Sequence, residues 1–514
     1  MPVFTVNNLC ISTLKGRVLL KDFSFTLNQN DKIALIGEEG NGKSTLLKIL
    51  CGIDVSDYVT FTGSVNTDEK CGYLPQKIDD IWLDVPVFDY LVKDIPTSEI
   101  DVEHYGNYNQ IYSILKTVNL DASILDEERP INSFSGGEKV KIAMAKVLYH
   151  EPDILFLDEP TNDLDLETLI WLESFINGIS LPIVFISHDE ALLENCSNGI
   201  LHLEQLKRKQ EAKITYSHVG YKEYVGERLH FIERNNMLAA KEKSEYQKQM
   251  EKYRQINQKV DYQQATISRQ DPHGGQLLKK KMHAVKALGR KMEEKKENLT
   301  EKFEPEEAIN IFFDKTVINP NKVILDYHLD ELEVDGKKLS HDIELYVKGS
   351  DKVCIIGRNG SGKTTLLKKI LEELKNTGNV TVGYMPQNYY EVMDYSISPV
   401  DYLSVEGTRE ETGRIRTYLG ALKFTTEEMT HSISDLSEGQ KCKILLLNLI
   451  LKKCDVLVLD EPTRNLSPLS NPQVRKMLIE FGGCIISVSH DRKYIENVCN
   501  KICQLDENGL REMV

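Results

Sequence analysis

Gly37-Glu-Glu-Gly-Asn-Gly-Lys43-Ser44 returns 320 positions later as Gly357-Arg-Asn-Gly-Ser-Gly-Lys363-Thr364. Each copy follows a short apolar run, Ile33–Ile36 or Val353–Ile356, and precedes a Leu-Leu-Lys pattern of helical character. A strand, a glycine loop and a helix in that order aim successive backbone N–H groups, and the positive end of the helix, at one anion. The chain builds this unit twice, which excludes a single small module.

Further pairs keep the same order. Gly72-Tyr-Leu-Pro-Gln76 answers to Gly383-Tyr-Met-Pro-Gln387, and Phe134-Ser135-Gly136-Gly137-Glu138 to Leu436-Ser437-Glu438-Gly439-Gln440. Ile154–Thr161 answers to Val456–Thr463, and Ser187-His188-Asp189 to Ser489-His490-Asp491. From Ser135, Asp158 and His188 the offset is 302 each time, so the back half of the repeat is in register. Between the glutamines it is 311, which leaves the first copy nine extra residues on either side of Gln76. Such insertions belong in surface loops. Strands alternating with helices in both copies predict an α/β fold with a mostly parallel sheet in each. The expected divisions are 1–210 and 305–514 for the copies and 211–304 between them.

The middle segment has a different period. Tyr246, Met250, Tyr253, Ile256 and Val260 are three or four apart, as are Leu278, Met282, Val285, Leu288 and Met292. That spacing predicts two helices with facing apolar seams. Asp271-Pro-His-Gly-Gly275 lies between them and reads as a turn. The result is an antiparallel hairpin whose first helix, about Tyr221–Thr266, is on the order of 65 Å long.

Charge is unevenly divided. The chain carries a net charge of −16, yet Glu251–Met292 holds seven Lys and three Arg against three acids. A basic tip on an acidic protein favours a polyphosphate partner, although a run such as Lys279-Lys280-Lys281 also suits a solvated helix face. Arg269, His273 and the amides of Gly274 and Gly275 are candidates to contact RNA phosphates or exposed bases. No run of 18 apolar residues occurs, so no membrane partner is expected. The N-terminus shows no signal peptide, and ten scattered cysteines without a Cys-x2-Cys pair point to reduced, cytoplasmic thiols.

The motifs carry a definite chemistry. Gly37, Glu38, Glu39, Gly40, Asn41, Gly42, Lys43, Ser44 and Thr45 form one candidate phosphate cradle. Gly357, Arg358, Asn359, Gly360, Ser361, Gly362, Lys363, Thr364 and Thr365 form the other. Lys43 and Lys363 suit the outer phosphates of ATP, and the hydroxyls of Ser44 and Thr364 suit Mg²⁺. Asp158 and Asp460, at the ends of apolar strands, belong near that metal. Glu159 and Glu461 are placed to orient or deprotonate an attacking water. His188 and His490 recur in register, which favours γ-phosphate sensing over a structural role.

Together these motifs resemble the ABC ATPases over most of the chain. Two such domains in tandem, joined by a long antiparallel helical hairpin without a membrane domain, resemble the ABC-F class of soluble ribosome-acting ATPases. Thr463–Ser470 and Ser268–Gly275 are similar to the antibiotic-resistance branch of that class.

The resemblance implies two ATPs sandwiched between halves paired within one monomer. One would lie between the Lys43 loop and Ser437-Glu438-Gly439, the other between the Lys363 loop and Ser135-Gly136-Gly137. Gln76 and Gln387 would join the metal ligands. It implies ribosome association, with the linker entering from the exit-tRNA site toward the peptidyl-transferase centre, among rRNA and tRNA, to relieve inhibition by antibiotics bound there; lincosamides, pleuromutilins and streptogramin A are favoured. A housekeeping translation ATPase of the same class, or the ATPase subunit of a membrane transporter, would share the catalytic residues. Glu438 in place of glycine, and Ser467-Pro468 where the first copy has Asp165-Leu166, depart from the pattern and predict unequal sites. Adenine has no evident aromatic partner; Leu14 stands near its expected place.

Overall fold

A computed structural model describes residues 2–98, 108–125, 128–162, 164–206, 211–266, 272–305, 313, 318–334 and 336–513, with side chains for all of these except 272–275. Met1–Tyr221 together with Glu306–Val514 form one compact unit, and Lys222–Pro305 form another.

The first unit is α/β and contains the repeat as two matching six-stranded sheets. The first runs Cys71–Leu74, Ile154–Leu157, Ile183–Ile186, Lys32–Gly37, Gly199–Gln205, Glu211–Ser217. The second runs Val382–Met385, Val456–Asp460, Cys484–Val488, Lys352–Ile356, Lys501–Asp506, Gly509–Met513. Neighbours are parallel throughout, except that the last strand of each turns back antiparallel. Ile154–Leu157, Ile183–Ile186 and Cys484–Val488 are buried at every position. Continuous apolar runs of this kind suit strands covered on both faces.

Smaller antiparallel sheets flank these cores. Val18–Asn28, Pro2–Thr13 and Val59–Asn66 form one, and Val323–Val334 pairs with Lys337–Lys348 in the other. Glu211–Ser217, assigned from sequence to the middle segment, is instead the edge strand of the first sheet, paired with Gly199–Gln205. Its polar and apolar residues alternate, Ala212, Ile214 and Tyr216 against Glu211, Lys213 and Thr215, a strand pattern that the division drawn at 210 separated from its sheet.

The second unit holds helices Tyr221–Thr266, whose first residue lies in the other unit, and Pro272–Glu297. The first has 46 residues and is about 69 Å long. Val260, Leu278 and Val285 are buried together, with Tyr253 and Met282 packed on them. Ile256, expected in this seam, is 44 % exposed, and the less exposed Asn257 takes its place. A strict heptad selects positions 246, 250, 253, 257 and 260, one step from the spacing read off apolarity alone. The expected turn at Pro272–Gly275 is also revised, because these residues begin the second helix. Proline is tolerated in a first turn, where its missing N–H would have had no intrahelical partner.

After the second helix the chain folds back on the first. Thr300 donates its N–H to Glu242 at 2.8 Å, Phe303 donates to Asn236 at 2.9 Å, and the Phe303 ring meets Phe231 edge to face. Among the described residues no helix is long and apolar enough to cross a membrane.

Candidate functional site

Both glycine loops shape their backbone alike. Gly42 and Gly362, the residues before the helices at Lys43–Leu50 and Lys363–Thr377, have φ of 92° and 91°. Only glycine adopts this left-handed conformation without strain. The lysine side chains then fold back over the loops. Lys43 Nζ donates to the carbonyls of Gly37 at 3.0 Å and Glu38 at 3.2 Å; Lys363 Nζ donates to Gly357 at 2.9 Å and Arg358 at 2.8 Å.

Each strand end brings its carboxylate to the loop. Ser44 Oγ donates to Asp158 at 2.9 Å, and Thr364 Oγ1 donates to Asp460 at the same distance. Tyr73, which sequence reasoning passed over, donates its hydroxyl to the other Asp158 oxygen at 2.8 Å. Burial raises the carboxyls of both Asp158 and Asp460. The next residues, Glu159 and Glu461, have φ of 48° and 52°. A non-glycine residue held in this region at the same place in both copies stores strain of about 1–3 kcal/mol.

The two glutamates differ in their surroundings. Glu159 accepts from Gln76 Nε2 at 2.8 Å and Asn162 Nδ2 at 2.7 Å, and lies 3.3 Å from His188 Nε2. Burial works against its charge, but His188, Lys43 and Asn162 prevail and hold the carboxyl down at about 2. Glu461 accepts from the His490 backbone N–H at 3.3 Å, with the His490 ring 3.8 Å away. Burial, then Asp460, pushes its carboxyl up to about 8. Burial beside Lys363 lowers His490 to about 4. No hydrogen bond between Gln387 and Glu461 answers to that of Gln76, although Gln387 lines the same cavity.

The halves meet with each glycine loop facing the other half's Ser-x-Gly segment. Ser135 caps the helix Gly136–Tyr149 and Ser437 caps Glu438–Leu451, each in a reciprocal box with Glu138 or Gln440. At the Lys363 loop a cavity of about 550 Å³ is lined by Gly136, Asn359, Lys363, Thr364, Gln387, Asp460, Glu461, His188 and His490. Val334 and Leu339 line it as well. Leu14 and Leu19 are their counterparts at the 320-residue offset, and Leu14 is 61 % exposed. The aliphatic pair gives the cavity at the Lys363 loop an apolar wall, which a search for aromatic residues could not find; of its counterparts only Leu14 is open, because Leu19 is 7 % exposed.

At the Lys43 loop the contact is direct. Glu39 accepts the backbone N–H of Gly439, and Glu38 is held by Lys443 Nζ at 2.9 Å and by the hydroxyls of Ser467 and Ser470 at 2.6 Å each. His188 Nδ1 lies 2.7 Å from the carbonyl of Leu466. Glu438 turns onto its own helix, taking Lys441 Nζ at 2.7 Å. The charge expected to face a phosphate there comes from Glu38 and Glu39 instead.

Early in the helix Pro272–Glu297, Lys279, Lys280 and Lys281 are exposed. Arg269 lies outside the described residues, as does the side chain of His273.

The sequence profile of the ABC transporter family matches residues 20–162 and 340–464, which contain both loops and both Asp-Glu strand ends. The chain is 28 % identical to the ATP-binding protein Uup of Escherichia coli over 96 % of its length and 78 % of that protein's. It is 26 % identical to ABC transporter F family member 5 of Arabidopsis thaliana, covering 97 % of this chain and 74 % of that one. Among solved structures, an archaeal ribosome recycling factor, aABCE1, crystallised with the ribosomal stalk protein aP1, shares the fold with a TM-score of 0.59 at 17 % identity, over 98 % of this chain and 89 % of that one.

Proposed function

The chain belongs to the ABC transporter family and is an ATPase, and from that premise we propose that it is an ABC-F-type ribosome protection protein of the cytoplasm. ATP bound at both loops draws the halves together, and the helical unit enters the ribosome beside rRNA and exit- or peptidyl-site tRNA. The tip then relieves inhibition by antibiotics at the peptidyl-transferase centre. The observation that carries this reading is a 46-residue helix paired with a second that bears an exposed basic run, in a chain of net charge −16. Relatives named as ABC transporter F family members, and a neighbour named as a ribosome recycling factor, support it.

In the chemical step the loop amides and Lys43 or Lys363 hold the phosphates. Glu159, ionised at neutral pH and oriented by Gln76, Asn162 and His188, takes a proton from the attacking water; Glu461 beside His490 does so in its ionised form, which its carboxyl at about 8 reaches as pH rises. Hydroxyl, carboxylate and amide oxygens from Ser44, Asp158 and Gln76, and from Thr364, Asp460 and Gln387, form a hard donor set that fits Mg²⁺, which neutralises phosphate charge.

The test is made in a susceptible bacterium. Replacing Gln270–Gln276 by a short Gly-Ser turn leaves the seam at Tyr253, Val260, Leu278 and Val285 intact. ATPase activity and ribosome co-sedimentation are then expected to persist while antibiotic protection is lost. Full protection at equal expression would remove the ribosome-protection reading. Sedimentation with membranes instead of ribosomes would favour a transporter subunit.

A further inference from the structure

The two glycine loops carry opposite charge where they face the other half. At the 320-residue offset Glu38 and Glu39 answer to Arg358 and Asn359, and at the 302-residue offset Ser467 answers to Asp165. In the second site Asp165 accepts the backbone N–H of Asn359, and Arg358 lies 3.0 Å from Glu167. In the first site the polarity is reversed. Glu38 is the anion, and Lys443, Ser467 and Ser470 supply three donors to it. An aspartate at 467 would oppose a second carboxylate to Glu38; serine donates to it. The departure from Asp165-Leu166 thus has a partner in the loop opposite.

With Glu38 fixed in this way, Glu39 reaches the first turn of the helix Glu438–Leu451 and takes the N–H of Gly439. The amides of a helix's first turn have no partner within the helix, and their field favours a single anion. A nucleotide in the Lys43 loop has its inner phosphates wrapped by that loop, so its terminal phosphate is the part that faces Gly439. A carboxylate and a phosphate compete for one donor, and both cannot approach it in a partly buried site without strong repulsion.

We infer that Glu39 is a specificity-determining residue of the first site. Its carboxylate stands where a terminal phosphate would go. A nucleoside diphosphate binds beside it, whereas a triphosphate binds only by displacing it from Gly439. Glu38 is the positioning residue that holds the loop against the other half. The second site has Asn359 at this place and takes a triphosphate without such an exchange. The inference rests on the reading of the Lys43 loop as a nucleotide site.

The test uses the full chain with Glu159→Gln and Glu461→Gln to prevent turnover, and Lys363→Ala to weaken the second site. ATP and ADP are titrated by calorimetry with and without Glu39→Asn, which installs the residue type used by the second loop. Glu39→Asn is expected to tighten ATP tenfold or more and to change ADP less than threefold. Glu39→Gln, which also removes the charge but keeps the length that reaches Gly439, is expected to fall between wild type and Glu39→Asn. Equal gains for both nucleotides, or no gain for ATP, overturn the inference. If Lys43→Ala abolishes ADP binding while the ATP:ADP ratio ignores Glu39, the site stands and only the inference falls. If neither nucleotide binds before or after Lys43→Ala, the nucleotide reading of the loop fails, and the inference with it.

Discussion

The guanidinium of Arg475 grips the carboxylate of Glu190 through two buried hydrogen bonds across the seam between the halves, the second at 2.9 Å. Arg492 divides its guanidinium between Glu173 at 2.7 Å and Asp189 at 3.0 Å. At the 302-residue offset Glu173 corresponds to Arg475 and Glu190 to Arg492. One pair is thus made twice about a pseudo-two-fold axis, with every acid in the first half and every base in the second. Two first halves would set glutamates against glutamates, and two second halves arginines against arginines.

Breaking this pair from one side leaves a buried charge alone. Arg475→Glu is expected to destabilise the paired halves by about 3–5 kcal/mol. Adding Glu190→Arg restores the attraction and is expected to recover most of the loss, limited by Asp491, which lies 3.9 Å from Arg475. Urea denaturation of the two single variants and the double variant measures the coupling, and purely additive losses would refute it.

Hydrolysis should collapse when the bases are removed. Glu159→Gln with Glu461→Gln keeps the shape of both sites but cannot take a proton, so phosphate release is expected to fall by roughly 10²–10⁴-fold with ATP binding retained. A wild-type rate in this variant would remove both residues from the chemistry.

Glu38 makes part of the stability depend on acid. Burial opposes its charge, but Lys443 and the hydroxyls of Ser467 and Ser470 hold the carboxyl at about 2 instead of 4.5. Because the folded value is the lower one, this contribution is complete above pH 4.5 and fades as pH falls through 2. Its size is on the order of 3 kcal/mol. The stability difference between wild type and Glu38→Gln, followed by urea melts at successive pH values, is expected to be constant near neutrality and to shrink toward pH 2. A difference unchanged at low pH would place its origin elsewhere.

The lysine run is expected to act through charge alone. Lys279→Glu, Lys280→Glu and Lys281→Glu together should weaken ribosome binding and lower the slope of log affinity against log salt by up to about 3. An unchanged slope would mean that these side chains contact no phosphate.

The repeated loops, the strand ends at Asp158 and Asp460 and the helical seam were legible because each is set by local chemistry: glycine where φ is positive, an apolar run before a carboxylate, a period near 3.5. What escaped was decided by the opposite surface. Glu38 and Glu39 read as members of a phosphate loop, and only Ser467, Ser470, Lys443 and Gly439, some 400 residues away, reveal where those carboxylates go. Ile256 lost its place in the seam to Asn257 for a similar reason, since register belongs to the pair of helices. Val334 and Leu339 escaped because aliphatic residues on a hairpin look like ordinary sheet packing.

Glu159 and Glu461 sit in a left-handed backbone that their own residue type disfavours, at the same point of each half. At Glu461, whose charge burial and Asp460 oppose, a glycine would relax the chain and shift its melting temperature upward while removing a carboxylate from the site; at Glu159 the bonds from Gln76 and Asn162 and the nearby His188 offset that gain. In a blind survey of substitutions selected only for heat resistance, the positions where the protein gains by change would therefore include one where its chemistry is done.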